Sequence, residues 1–162
     1  LIEQACDQIR FVAIGSFGEV SSVRDRYLGY LEAMAEASLK PHYFPKTETE
    51  TSDAYLNRLV EALLETPATK TGLVVENDWL AIQLIQKITQ VGLSIPDKVA
   101  IVGFDNSQAS RLLTPKLSTA AQDFYQMGQE AARLLLQSIH EPDLAVVSCQ
   151  LPVQVFIRES SH

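Results

Sequence analysis

The chain has 162 residues, 46% of them hydrophobic and 20% charged, which is the size and composition of one globular domain and not of a disordered, collagenous or coiled-coil protein. Thirteen Lys and Arg against twenty Asp and Glu leave a formal net charge of −7, so the chain carries no basic footprint with which to grip nucleic acid. No apolar run reaches the roughly 18 residues of a membrane-spanning helix, and no basic-then-apolar leader opens the sequence. The expectation is a soluble, cytoplasmic protein with no membrane partner.

Cys6 and Cys149 lie far apart and form no CxxC pair, which argues against a disulfide framework or a thiolate zinc site. The chain starts at Leu1 and runs at once into helix-like sequence without a cap; it reads as a piece of a longer protein.

Short Val- and Ile-rich runs alternate with stretches of helical period, the pattern of βα units around a buried parallel sheet. Strands are expected at Arg10 to Ser16, Lys40 to Phe44, Thr71 to Glu76 and Lys98 to Phe104. After the first, Ser21 or Ser22 is expected to cap a helix carrying Val23, Tyr27, Tyr30, Leu31 and Met34 on one face. After the second, Lys46 to Asp53 reads as a solvated loop, and Ser52 or Asp53 caps a helix with Leu56, Leu59, Val60, Leu63 and Leu64. The third strand ends at Asn77 and Asp78 and opens a helix with Ala81, Leu84, Ile85, Ile88 and Val91, closed by Gly92 and then Pro96. Beyond Pro115 the pattern changes to a short extended piece near Leu117 to Ala120 and an amphipathic helix from about Asp123 to Ile139. An apolar tail from Ala145 to Ile157 then reads as two strands interrupted by Pro152.

In an open parallel sheet, ligands bind at the carboxyl ends of the strands, where loops and helix amino termini converge. Arg26, in the first turns of the first helix, Asn77, ending the third strand, and Asp105, directly after the fourth, all belong on that rim. A guanidinium fork donates in a plane, a carboxylate accepts from two adjacent hydroxyls, and an amide does either, which suits a sugar or nucleoside. Each residue also has a plainer role: Arg26 as partner of Glu19 or Asp25, Asn77 as a helix cap, and Asp105 with Asn106 as an ordinary turn. Their convergence on one edge favours the ligand reading.

Enzyme chemistry finds little support. No GxSxG, HExxH or GxxxxGK[ST] motif occurs, and the Gly15 to Gly18 turn lacks the third glycine of a dinucleotide fingerprint. His42, His140 and His162 show no spacing that suggests a metal cluster or an acid–base pair. No catalytic residue, metal or cofactor is therefore assigned. Trp79, beside the rim, could stack on a sugar face, although an aromatic there more often covers core.

Several segments resemble one family. Ser94 to Asn106 (SIPDKVAIVGFDN) is similar to the IPxDVAIVGFDN segment of the LacI/GalR bacterial transcriptional regulators. Arg26 to Tyr30 resembles their RxxGY helix, and Val75 to Asp78 with Ala81 their NDxxA turn. Pro115 to Thr119 resembles PxLTT, Met127 and Gly128 with Ala131 and Ala132 the MGxxAxxLL helix, and Arg158 to Ser160 the family's ending. The resemblance implies a two-lobed core of the periplasmic-binding-protein-like type I fold. In it, residues 1–120 with 153–162 form the second lobe, a three-layer αβα parallel sheet, and 121–152 cross to a first lobe mostly outside this sequence. It also implies a small-molecule effector of the sugar, sugar phosphate or nucleoside class, bound by Arg26, Asn77 and Asp105, with Gln122 and Phe124 from the crossover and Ser22 as further contacts. The aromatic that many members place before the second helix has no counterpart in Lys46 to Asp53. Operator DNA would be read only through an amino-terminal domain absent here, by a homodimer whose copies could exchange the segment from about residue 121 onward. A periplasmic sugar-binding protein of transport or chemotaxis shares the architecture and is the alternative.

Overall fold

The computed structural model describes residues 1–141 and 148–162. Six strands form one sheet in the order β2-β1-β3-β4-β5-β6: β1 (Gln8–Val12), β2 (His42–Phe44), β3 (Thr71–Val75), β4 (Val99–Phe104), β5 (Ser118–Ala121) and β6 (Gln154–Phe156). The first five are mutually parallel, with Phe11 opposite Val74 and Val74 opposite Val102, and β6 closes the edge antiparallel to β5. β2, β3 and β4 fall within the expected runs, whereas β1 starts two residues before the expected Arg10 and ends at Val12, four residues short of Ser16. Of the two strands expected between Ala145 and Ile157, the first begins among residues outside the described ones, and the second is β6, after Pro152.

The helices are α1 (Ser21–Glu36), α2 (Ser52–Leu64), α3 (Asp78–Gln90) and α4 (Phe124–His140), with a short 3-10 turn at Ala109–Arg111. Two of the expected caps differ. Val20 takes the cap position of α1 without a side-chain bond, and Ser21 and Ser22 are already helical. Val23 N is instead taken by Val20 O, which also accepts from Arg24, and the turn before the helix is closed by Ser16 O accepting from Glu19 and Val20. In α2 it is Thr51, one residue before Ser52, whose hydroxyl accepts from the Ala54 amide. Asp53 instead pairs with Lys87 of α3 at 2.7 Å. The expected solvated loop is pinned at Glu50, whose side chain is 11% exposed because Arg58 of α2 reaches back to it at 2.8 Å. Asn77 caps α3 as expected, its Oδ1 accepting from Leu80 N at 2.8 Å. Gly92 closes that helix at a left-handed φ of 78°, and Val91, read as part of the apolar face, is the exposed cap residue.

The two sheet faces are covered unequally. On one, α2 and α3 bury Tyr55, Leu56, Leu59, Leu80, Leu84 and Ile88 against Val12, Leu73, Val75, Val99 and Ile101. On the other, α1 packs Val23, Tyr30 and Met34 over Phe11, Ile9 and Ala13 of the β1 region. The Tyr30 hydroxyl ties that packing down by donating to Ile9 O and accepting from His42 N. Beyond α1 the same face stays open as an apolar groove of about 450 Å³ lined by Ile9, Met34, Val74, Val102, Val155 and Ile157. The last helix, α4, has the expected amphipathic sequence yet no buried residue; Phe124, Leu135 and Ile139 are each more than 60% exposed. Among the described residues, no helix is long and apolar enough to cross a membrane.

Candidate functional site

The strand order β2-β1-β3-β4-β5 places a topological switch point between β1 and β3, because the chain leaves β1 to one side and returns on the other. Three segments meet outside the carboxyl ends of the strands there. Arg26, on the second turn of α1, donates from Nη1 to the Glu76 carbonyl at 2.5 Å and lays its guanidinium over the Phe104 ring, 3.8 Å from the centroid. Its Nη2 stands 3.7 Å from Asp105 Oδ1. Of the plainer partners considered for Arg26, Asp25 pairs with Arg24 instead. A separation of 3.7 Å is an ion pair without a hydrogen bond. Fork and carboxylate therefore both keep bonding capacity for a third group placed between them.

Asn77 spends its oxygen on the cap of α3, and its amide nitrogen lies 3.4 Å from Glu76 Oε1. The cap and a ligand contact through the amide hydrogens are compatible. Gln122 and Phe124 follow β5 on the same edge and line a small cavity of about 210 Å³ with Asn106, Gln154 and Phe156. Ser22 sits exposed one helical turn before Arg26, on the same face of α1. Trp79, in the first turn of α3, is 60% exposed and covers no core.

Sequence reasoning missed the buried acids beneath the rim. Glu76 is 3% exposed and accepts from the Ile14 and Gly15 amides at 3.2 and 3.1 Å, tying the end of β3 to the turn after β1. Burial pushes its carboxyl above the usual range, against those two bonds and the Arg26 charge. Asp78 is 1% exposed and accepts from the Thr119 hydroxyl at 2.6 Å and the Ser107 amide at 2.7 Å. Gly103 makes room for it, since a Cβ there would collide with Asp78 Oδ1. The adjacency of Asn77 and Asp78 gave the available signal for Asp78, but a sequence does not distinguish a buried acid from a solvated helix start. Burial also raises the Asp105 carboxyl, with Arg26 opposing and Asp78 adding to the shift. A guanidinium, a carboxylate and an amide on one rim, backed by an aromatic ring, form a constellation suited to vicinal hydroxyls.

A model of the periplasmic binding protein-like domain matches residues 1–161. The chain belongs to this family. Among curated relatives of this domain, the ribose operon repressor of Halalkalibacterium halodurans is 30% identical over 161 residues, covering 99% of this chain and 47% of the relative. The HTH-type transcriptional repressor PurR of Mannheimia succiniciproducens is 32% identical over 143 residues, 86% of this chain and 42% of its own. The chain thus spans about half the length of the curated relatives it matches. Among solved structures, LacI family transcriptional regulators from Enterococcus faecium and Enterococcus faecalis, both with bound ribose, superpose with TM-scores of 0.81 and 0.77 at 27% and 30% identity. Each match covers 99% of this chain, and 59% and 56% of those chains respectively. The fold is the mixed α/β, mostly parallel architecture of this family, with helices on both faces of the sheet.

Proposed function

We propose that this chain is the effector-sensing part of a LacI-type transcriptional regulator, and that Arg26, Asn77 and Asp105 hold a small polyhydroxylated ligand of the pentose or nucleoside class. The observation that carries the reading is the open guanidinium–carboxylate pair, 3.7 Å apart at the switch point of the sheet. Ribose in two neighbours of this fold supports the ligand class, and relatives named as repressors favour a regulator over a transport protein. Gln122, Phe124 and Ser22 flank the ligand as further contacts. Residues 1–120 and 153–162 form one lobe of the sensor, and 121–152 cross to a second lobe that closes over the ligand. Closure shifts the equilibrium between two lobe arrangements by differential affinity, and operator DNA is engaged by a segment outside this chain. Nothing is turned over, and the protein works in the cytoplasm.

Alone, the lobe binds weakly, because half of the hydrogen-bonding shell and the water-excluding wall are missing. A thermal-shift screen with D-ribose, lactose and adenosine tests the reading: a ligand at ten times its Kd adds about 1.4 kcal/mol to apparent stability. Stabilisation by D-ribose or adenosine that disappears in Asp105→Asn is the expected result; no shift with any ligand, or an equal shift in the variant, contradicts it.

Among the described residues, the α4 face and the groove beside α1 present exposed apolar surface. We propose that a second copy covers them by reciprocal exchange of the segment from about residue 121 onward. Two copies of a helix about 25 Å long, each laid on a groove, approach the roughly 1,600 Å² of a stable interface. Light scattering of the chain is expected to give a dimer that Leu135→Glu converts to monomer. A monomeric wild type with α4 protected from hydrogen exchange would mean that the helix folds back on its own lobe.

A further inference from the structure

The turn after β4 is held in a backbone shape that its residues do not favour. Asp105 and Asn106, neither of them glycine, sit in succession at φ of 108° and 48°. Such pairs are uncommon and persist where the surroundings over-determine them. Here the clamp comes from two sides. From below, Thr119 Oγ1 accepts from the Asn106 amide at 3.2 Å, Asp78 accepts from the Ser107 amide at 2.7 Å, and the two acceptors are themselves joined. From above, Arg158, in the extended segment after β6, donates from Nη2 to Asn106 Oδ1 at 2.6 Å.

Arg158 is well placed to act as an anchor. Its Nη1 donates to Leu117 O at 2.6 Å and to Ser110 Oγ at 3.3 Å, and its own amide donates to Ser118 Oγ at 2.7 Å. Its guanidinium also lies 5.3 Å from the centre of the Phe156 ring. A planar fork can satisfy three acceptors in fixed directions; a lysine ammonium, with one point of charge on a flexible stem, cannot reproduce that set. Asp105 itself is bonded to the sheet through its amide, which donates to Ala120 O at 2.8 Å. With that amide held by β5 and the Asn106 amide held by Thr119, the turn as a whole sets the Asp105 backbone from which the carboxylate projects.

We infer that Arg158 is a positioning residue for the ligand site: by holding the Asn106 side chain it fixes the Asp105–Asn106 turn and keeps the Asp105 carboxylate facing Arg26. The inference rests on the reading that Asp105 contacts the ligand, and it adds a residue remote in sequence that touches no ligand. The turn becomes part of the recognition machinery, and the segment after β6 becomes its support.

The test uses the full 15N-labelled chain and its Asn106→Asp, Asn106→Gly, Arg158→Lys and Asp105→Asn variants. Amide hydrogen exchange is measured without ligand, and amide shifts are then followed during titration with D-ribose. Asn106→Asp keeps an oxygen acceptor and tolerates the left-handed backbone, whereas Asn106→Gly removes the acceptor. Loss of one charge-assisted bond corresponds to about tenfold in the local opening equilibrium. Arg158→Lys is therefore expected to exchange the Ser107 amide about that much faster and to weaken the D-ribose response at Asp105 to a similar degree, and Asn106→Gly to do so to a smaller extent, because glycine also relieves the left-handed backbone. Asn106→Asp is expected to keep both, and the β3 amides of Leu73 and Val74 to remain unchanged throughout. Unaltered Ser107 exchange in Asn106→Gly and Arg158→Lys, or equal weakening in Asn106→Asp, overturns the inference. If Arg158→Lys does not fold, the two Asn106 variants decide alone. A wild type that does not respond to D-ribose, or an Asp105→Asn variant that responds like it, counts against the ligand reading, while the ligand-free exchange still decides whether Arg158 holds the turn.

Discussion

The two faces of the sheet solve the same problem to different extents. Under α2 and α3 the strands are sealed: Leu59, Leu73, Leu84, Ile88 and Ile101 are all fully buried, and the helices alone account for ten residues of that core. On the other face α1 covers β1, while Val74 and Val102 remain partly exposed and Val155 and Ile157 are each 62% exposed. The sealed face carries the larger of the two buried clusters. Among the described residues, the open face and α4 keep apolar side chains exposed. The rim with Arg26, Asn77 and Asp105 lies where the two meet, with Asn77 capping a helix of the sealed side and Arg26 lining the open groove.

Truncations should expose the contrast most sharply. Leu84→Ala, in the sealed core, is expected to cost about 3 kcal/mol through lost transfer energy and an unfilled cavity. Val102→Ala, in the open groove, should cost about 1 kcal/mol or less when made in the monomeric Leu135→Glu background, where part of that side chain is in water. Urea denaturation of both variants in that background checks the difference; a Val102→Ala cost as large as that of Leu84→Ala would mean that the groove is covered within a single copy.

Asn77 separates two roles at the rim. Asn77→Ala removes the α3 cap and should cost about 1 kcal/mol, whereas Asn77→Ser keeps an acceptor for Leu80 N without setting a second carboxylate beside Glu76 Oε1 and should cost close to nothing. If capping is the residue's whole role, the serine variant also keeps the D-ribose response; loss of the response at unchanged stability assigns the side-chain amide to the ligand.

A smaller effect concerns Glu50, at the edge of the sealed side. Arg58 holds its carboxyl down to about 2, below the ordinary 4.5. A depressed carboxyl stabilises the fold above its unfolded value and loses that contribution as pH falls through the folded one. Glu50→Gln should therefore be less stable than wild type near neutral pH, with the gap closing as pH falls from about 4.5 toward 2. A gap of constant size across that range would remove the pair from the account.

Much of this was legible in the sequence because it rests on local pattern. The Val and Ile runs located β1, β3 and β4, and Asn77 and Gly92 marked both ends of α3. Cap positions were read less well: Val20, whose side chain has no acceptor to cap with, opens α1 after the Ser16 turn, and Thr51 lies one residue before the serine that pattern favours. Partner choice was hidden altogether. Whether Arg26 pairs with Glu19, Asp25 or Asp105 depends on β4 lying two strands from β1, which no helix period reports. Burial of Glu76 and Asp78 was hidden for the same reason, as acids are read as exposed until the amides and hydroxyls that satisfy them are in place. The α4 stripe was visible, but periodicity says only that a helix has an apolar face, not that anything covers it.

The most direct test of the central claim is a map of amide shifts induced by D-ribose in the 15N-labelled chain and in Asp105→Asn. Perturbations are expected only at the carboxyl edge, at Arg26, Asn77, Asp105 and Gln122, and are lost in the variant. Shifts centred on the groove residues Val74, Val102 and Val155, or a map that Asp105→Asn leaves intact, would contradict that claim.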